Sequence, residues 1–211
     1  IDKLEALKKE IESDDGTCAV VPIDMSDRVS IREAVASVEE QLGTITTLVN
    51  NAGLPDAQWA VKQSDELIDT VMGTNLTGPY ILSCEVARKL MQEKLPGRMV
   101  NIASMAAFHT TAQSAAPLYS ITKKALVRMT ETLAVEWAGR NINVNAIAPG
   151  FFSSEMTDGM LERIGDITPT LNRKRIPTAE QMDSTLLFLL SPSSECVTGT
   201  CIKIDDGQMV R

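Results

Sequence analysis

Tyr119 and Lys123 stand four residues apart in a stretch whose apolar spacing predicts a helix over about 118–138. That interval puts both on one helical face, with Cβ atoms about 5–6 Å apart. An ammonium so close to a phenol favours the tyrosinate and lowers the phenol pKa from its ordinary value near 10. A phenol tuned in this way can protonate an alkoxide, or take a proton from an alcohol, near neutral pH. A Tyr-x-x-x-Lys pair alone is common by chance and is more often incidental polar decoration on an amphipathic helix. The reading therefore depends on its company.

That company is specific in type and order. Asn50-Asn51-Ala52-Gly53 ends the apolar run at Leu48-Val49, and a glycine there lets backbone approach a ligand closely. Asn75 lies inside Gly73-Thr74-Asn75-Leu76-Thr77-Gly78, a helical segment that glycines and threonines make irregular. Ser104 follows the strand-like Met99-Val100-Asn101-Ile102, and Pro149-Gly150 closes a run through Asn143-Val144-Asn145-Ala146-Ile147. Three of these sites fall at the C-terminal ends of predicted strands, the edge where open α/β sheets bind ligands.

The elements that must position these groups alternate along the chain. Leu4, Leu7, Lys8 and Ile11 predict a first helix that stops before Gly16, and Ala19 to Asp24 reads as a short strand ending in a carboxylate. Asp27 is placed to N-cap a helix carrying Ile31, Val35, Val38 and Leu42, closed by Gly43. Helical patterns over 65–94, 118–138 and 178–190 alternate with strands at 48–50, 99–102, 143–147 and 201–204. Strands alternating with amphipathic helices imply βαβ units and right-handed crossovers. The expected fold is α/β: one doubly wound, mostly parallel, Rossmann-like domain over 1–211 with helices on both faces. Residues 151–177, rich in Met, Gly and Thr and weakly periodic, follow a strand end and are expected to form a substrate lid carrying Met156, Met160, Leu161 and Ile164.

Taken in order, Asp24, Asn50 to Gly53, Asn75, Ser104, Tyr119 with Lys123, Asn145 to Gly150 and Asp205-Asp206-Gly207 resemble the short-chain dehydrogenase/reductase family, 3-oxoacyl-ACP reductase-like members in particular. The resemblance spans essentially the whole chain. It implies an oxidoreductase moving a hydride between NAD or NADP and a small-molecule carbonyl or secondary alcohol. By that resemblance Ser104 hydrogen-bonds the substrate oxygen and Tyr119 exchanges the proton. Lys123 holds the nicotinamide ribose and lowers the tyrosine pKa, while Asn75 holds a water relaying protons to Lys123. Asp24 and the backbone beside Met25 meet the adenine, and Asn51, Ala52 and Gly53 line the adenosine ribose. Pro149 to Ser154, including Gly150 and Phe152, contacts the carboxamide and pyrophosphate. Family frequency favours NADP over NAD.

The pattern also departs from the family. No glycine-rich fingerprint precedes a helix, so the first two βα units of the family are missing, and the resemblance implies about 35–45 residues before Ile1. The strand at 19–23 is then expected to lack its neighbour, since the family strand order is 3-2-1-4-5-6-7. The interval from Ser104 to Tyr119 is longer than usual, with the extra residues in the loop 108–117, where Ser114 is a weaker rival for the serine role. Asp206 replaces the first glycine of the usual Asp-Gly-Gly. A fold-derived binding or scaffold protein without catalysis is the competing reading, which the absent phosphate turn supports and the complete Asn75, Ser104, Tyr119 and Lys123 set opposes.

Bulk properties narrow the classes further. The 211 residues are 44% hydrophobic and 23% charged, with a net charge of −8. That balance suits a globular enzyme and argues against nucleic-acid binding. Cys18, Cys84, Cys196 and Cys201 are too scattered for a disulfide framework or a metal site, the N-terminus is charged, and no apolar run is long enough for a membrane. A cytoplasmic protein without metal is expected. His109 is the only histidine and no G-x-S-x-G occurs, which excludes a hydrolase triad as the better reading. Ile81, Val86, Leu90, Leu126, Met129, Leu133 and Trp137 exceed the needs of one stripe per helix, so a helix-on-helix face for a homodimer or homotetramer is expected.

Overall fold

The structure, a computed structural model, describes residues 2–110 and 116–209. Four strands, β1 (Thr47–Asn50), β2 (Gly97–Ile102), β3 (Ile142–Pro149) and β4 (Cys201–Ile204), form one sheet in the order β1-β2-β3-β4 with every pairing parallel. Parallel neighbours require crossovers, and helices supply them. The helices are α1 (Asp2–Ser13), α2 (Arg28–Leu42), α3 (Asp65–Met72), α4 (Gly78–Glu93), α5 (Pro117–Trp137), α6 (Glu155–Ile164) and α7 (Asp183–Leu190).

Alternation along the strands sends side chains to two cores. Met99, Ile142 and Val144 pack under α4 and α5 with Val86, Leu90, Leu126, Leu133 and Trp137. Val100 and Ile147 turn the other way and meet Leu189 of α7, backed by Ile202 and Ile204. Helices thus cover both faces, and the chain has the doubly wound parallel α/β fold.

Local signals account for many of the boundaries. The Asp27 carboxylate accepts from the Val29 amide at 2.8 Å and caps α2, which ends at Gly43 with φ +84°. Thr178 and Gln181 form a reciprocal capping box, and the turn they start is a 3₁₀ turn at Ala179–Met182 that runs into α7.

Three expectations need correction. Ala19 to Asp24 is not a strand: no described strand pairs with it, and Pro22, Ile23 and Asp24 are exposed. Apolar, β-branched residues are not enough, because ladder groups need a partner, and β1 bonds only to β2. Of the residues expected to face a second copy, Val86, Leu90, Leu126 and Trp137 are spent on the core under α4 and α5, Ile81 is half-buried, and Met129 and Leu133, though mostly buried, also line a shallow groove between the two helices. The surplus apolar positions reflect helices that bury two sides. Finally, the helix expected over 178–190 is α-helical only from Asp183.

Candidate active site

A buried polar chain aligns the strand ends that carry the site. Asn50, the last residue of β1, donates through Nδ2 to Ser83 Oγ of α4 at 2.9 Å and to Asn101 Oδ1 of β2 at 2.8 Å. Asn101 Nδ2 in turn donates to Thr130 Oγ1 of α5 at 2.9 Å, and the Thr130 hydroxyl to Leu126 O at 2.8 Å. All four polar side chains are buried. Their mutual hydrogen bonds offset most of the cost of burial, although Asn50 Oδ1 has no partner among the described residues, and the result ties β1, β2, α4 and α5 together.

Beyond Asn50 the chain turns through Asn51, Ala52 and Gly53, where Asn75 anchors it. Asn75 is fully buried in a π turn at Gly73–Thr77, the irregularity its glycines and threonines foretell. Its Oδ1 accepts from the Leu54 amide at 2.8 Å, while Nδ2 donates to Leu54 O at 2.9 Å and Thr122 Oγ1 at 3.2 Å. The side chain acts as a stand-in strand for Leu54.

Gly53 lies directly against Lys123. A Cβ at Gly53 would sit 3.2 Å from Lys123 Nζ and 3.6 Å from Asn75 Oδ1. Lys123 is 3% exposed, and its ammonium donates to Ile102 O, at the end of β2, at 2.6 Å. Burial pulls its pKa from 10.5 down to about 8.

Tyr119 lies one turn earlier on α5, with Lys123 Nζ 5.5 Å from its ring centroid. The Ser104 hydroxyl faces the phenol and favours its ionised form, while accepting from the Ala106 amide at 3.1 Å. The phenol pKa is nevertheless raised, because burial outweighs the Ser104 hydrogen bond. This corrects the expectation that Lys123 lowers it. The helical spacing brings the two residues together, but one Lys123 donor goes to Ile102 O and desolvation of the buried phenol decides the direction.

The remaining sequence-predicted residues lie around this centre. Asp24 is exposed, and its carboxylate accepts from the Ser26 amide at 2.8 Å and the Ser26 hydroxyl at 2.7 Å, which lowers its pKa. Met25 and Ser26 press on the π turn: a Cβ at Gly78 would collide with Met25 O, and one at Gly73 would lie 3.0 Å from Ser26 Cβ. Only glycines permit that approach. Asn51 and Ala52 are exposed on the loop. Pro149 ends β3, and past Gly150 the Phe151 amide and carbonyl bond Gln208 at 2.7 and 3.0 Å. The Phe152 side chain is buried, and the Ser154 hydroxyl caps α6 through the Thr157 amide at 3.2 Å. Asp206 takes the left-handed φ of +50° that a glycine would accept freely, and its carboxylate holds Arg175 through two bonds of 2.7 and 2.9 Å. Ser114 lies outside the described residues. Among those residues no cluster of His, Cys, Asp and Glu is arranged to hold a metal.

Two contributors escape a reading of the sequence. The Ser120 hydroxyl donates to Ala106 O at 2.7 Å and thereby couples the Ser104 turn to α5. Asp56 is 3% exposed and accepts from the Leu118 and Tyr119 amides. The one advance sign of Asp56 is negative: Ala116-Pro117 offers α5 no local cap.

Gly53, Asn75, Ser104, Tyr119 and Lys123 thus converge at the strand ends of a doubly wound α/β sheet. The family model described as enoyl-(acyl carrier protein) reductase matches residues 2–209. The chain belongs to the short-chain dehydrogenase/reductase family, oxidoreductases of the alcohol–carbonyl couple. It is 32% identical over 210 residues to 3-oxoacyl-(acyl-carrier-protein) reductase FabG of Thermotoga maritima, covering 99% of this chain and 84% of that one. It is 33% identical over 191 residues to 2-dehydro-3-deoxy-D-gluconate 5-dehydrogenase of Dickeya dadantii, covering 89% and 75% respectively. Among solved structures, a short-chain type dehydrogenase/reductase from Mycobacterium marinum superposes with a TM-score of 0.93 at 26% identity, over 100% of this chain and 83% of that one. Actinorhodin polyketide ketoreductase with NADPH gives 0.91 at 27% identity, over 98% and 84%.

Proposed function

We propose that this chain transfers a hydride between NAD(P)(H) and a small-molecule carbonyl or secondary alcohol, with Tyr119 as general acid and base. The observation that carries the proposal is the meeting of Tyr119, Ser104, Lys123 and Gly53 at the C-terminal ends of β1 and β2. The relatives solved with NADPH and with NADH support the cofactor class, without deciding between the two.

The residues present fit the nicotinamide–ribose end of such a cofactor. Gly53 leaves open the space beside Lys123 Nζ that a Cβ would fill, and an ammonium with a donor to spare suits vicinal hydroxyls. Gly53 therefore serves the Lys123 side of the site, with Asn51 and Ala52 reaching toward the adenosine ribose. Asp24 and Met25 face the adenine, and Pro149, Gly150, Phe152 and Ser154 the carboxamide and pyrophosphate. When bound, the cofactor supplies or accepts the hydride.

The protein's own groups manage the oxygen. The Tyr119 phenol, kept protonated by burial, gives its proton to the carbonyl oxygen, and the Ser104 hydroxyl hydrogen-bonds the same oxygen. Lys123, with a pKa of about 8, is mostly charged at neutral pH and orients the ribose. Asn75 fixes the Leu54 loop and holds the water that returns a proton toward Lys123. Residues 151–177 close over the substrate. In α6 no side chain is fully buried, and Ile164 is 62% exposed, as a lid requires.

The shallow groove between α4 and α5, rimmed by Leu76, Tyr80, Ala125 and Thr132 above the buried core, receives a second copy of the chain. Four free cysteines suit a cytoplasmic setting, and no described helix is long and apolar enough to cross a membrane. The function is tested by titrating the protein with NADPH and NADH while following nicotinamide fluorescence, then adding acetoacetyl thioester, a keto-sugar acid and a small ketone. Saturable binding with turnover of one class is expected. Absence of any fluorescence change would leave a non-catalytic binding protein instead.

A further inference from the structure

The helix that carries Tyr119 and Lys123 has no cap of its own. Ala116 offers no side-chain acceptor, and Pro117 removes the first donor. The Ser120 amide bonds Ala116 O at 3.2 Å, so the amides of Leu118 and Tyr119 need acceptors from elsewhere. Asp56 supplies both: Oδ2 lies 2.9 Å from the Leu118 nitrogen and Oδ1 3.3 Å from that of Tyr119. Gln63 Nε2 donates to the same carboxylate. A buried carboxylate is matched here by three donors and by the positive end of α5.

The tether matters because of what lies at its other end. Asn75 grips both backbone groups of Leu54, and Asp56 follows two residues later. The loop leaving β1 is thus pinned to the π turn at Leu54 and to α5 at Asp56, with Gly53 against Lys123 just before both pins. The bonds that set the Tyr119 backbone come from this loop, from α5 itself and from the Ser104 turn: its amide to Asp56, its carbonyl from the Thr122 hydroxyl at 2.9 Å, and the next residue's hydroxyl to Ala106 O.

We propose that Asp56 is a positioning residue for the proton transfer: its carboxylate locks the Gly53 loop to the first turn of α5 and so sets where the Tyr119 oxygen lies. The proposal rests on the assignment of Tyr119 as acid and base. A displacement of about 1 Å at such a group can cost about a hundredfold in rate.

The test separates positioning from helix capping. Asp56→Ala removes the tether, and adding Ala116→Asp gives α5 a local cap without restoring it. Asp56→Asn keeps the shape but offers one acceptor, and it serves as the reading if the alanine variant does not fold. Turnover with an accepted carbonyl, the dissociation constant of reduced cofactor and the melting temperature are measured on each. The expected result is a kcat at least tenfold lower in Asp56→Asn and in Asp56→Ala/Ala116→Asp. Reduced-cofactor affinity stays within about threefold, and the double variant regains the stability that Asp56→Ala loses. The proposal is overturned if Asp56→Asn turns over within threefold of wild type, or if kcat recovers together with melting temperature in the double variant. Tyr119→Phe, measured alongside, distinguishes the failures: wild-type turnover there would sink the acid–base assignment whatever Asp56 does.

Discussion

Replacing Lys123 by methionine changes how stability depends on pH, and the size of the change follows from burial. In the folded protein Lys123 is 3% exposed and its pKa falls to about 8, against 10.5 in the unfolded chain. Between those values the unfolded chain binds more protons, so stability rises with pH. Below pH 8 both states are charged and the penalty for burying the ammonium stands in full, at about 3 kcal/mol. Raising the pH from 7 to 9.5 relieves about 2 kcal/mol of it. The methionine side chain carries no proton, so the unfolding free energy of wild type minus that of Lys123→Met should rise by about 2 kcal/mol over this span. Cys201, pushed up to about 11 by burial, works the other way above pH 9, but both proteins contain it and it cancels. Urea unfolding followed by the fluorescence of Trp137, which is 4% exposed, gives both curves. A difference that stays flat with pH would show that the ammonium is not desolvated, and the account of its charge would fall with it.

Two further substitutions probe the frame around the site. Gly53→Ala places a methyl 3.2 Å from Lys123 Nζ, and should weaken reduced-cofactor binding about tenfold while the melting temperature changes little. Unchanged affinity by fluorescence titration would mean that the cofactor does not use that space. Asn101→Ala breaks the polar chain between Asn50 and Thr130 and should cost about 2–4 kcal/mol in urea unfolding, because it strips a partner from groups that remain buried. A loss under about 0.5 kcal/mol would show that the chain does not align the strands.

The elements that hold the site were legible where local chemistry decides. Asp27 and Gly43 bracket α2 by capping alone, and the apolar runs around Val100, Val144 and Ile202 suit strands buried on both faces. The glycines and threonines around Asn75 forecast a disturbed helix, and a π turn is what they form. Ala19 to Asp24 has the composition of a strand, yet strand pairing is a property of two segments and no described segment pairs with it. Likewise, Tyr119 and Lys123 could be placed on one face from their spacing. The direction of the phenol pKa could not, since desolvation depends on everything packed around the pair. Asp56 leaves no mark near α5 because it arrives from a loop on the far side of α3 and α4 in sequence. Carboxylates that cap a distant helix have no spacing rule to betray them.

The decisive measurement is turnover by Tyr119→Phe, which deletes the one oxygen that meets Ser104 and leaves the ring. Reduced-cofactor binding should stay within about threefold of wild type while kcat falls at least about a thousandfold, the loss expected when a general acid and the oxygen it holds go together. A variant that binds cofactor and still reduces its carbonyl at the wild-type rate would place the proton elsewhere.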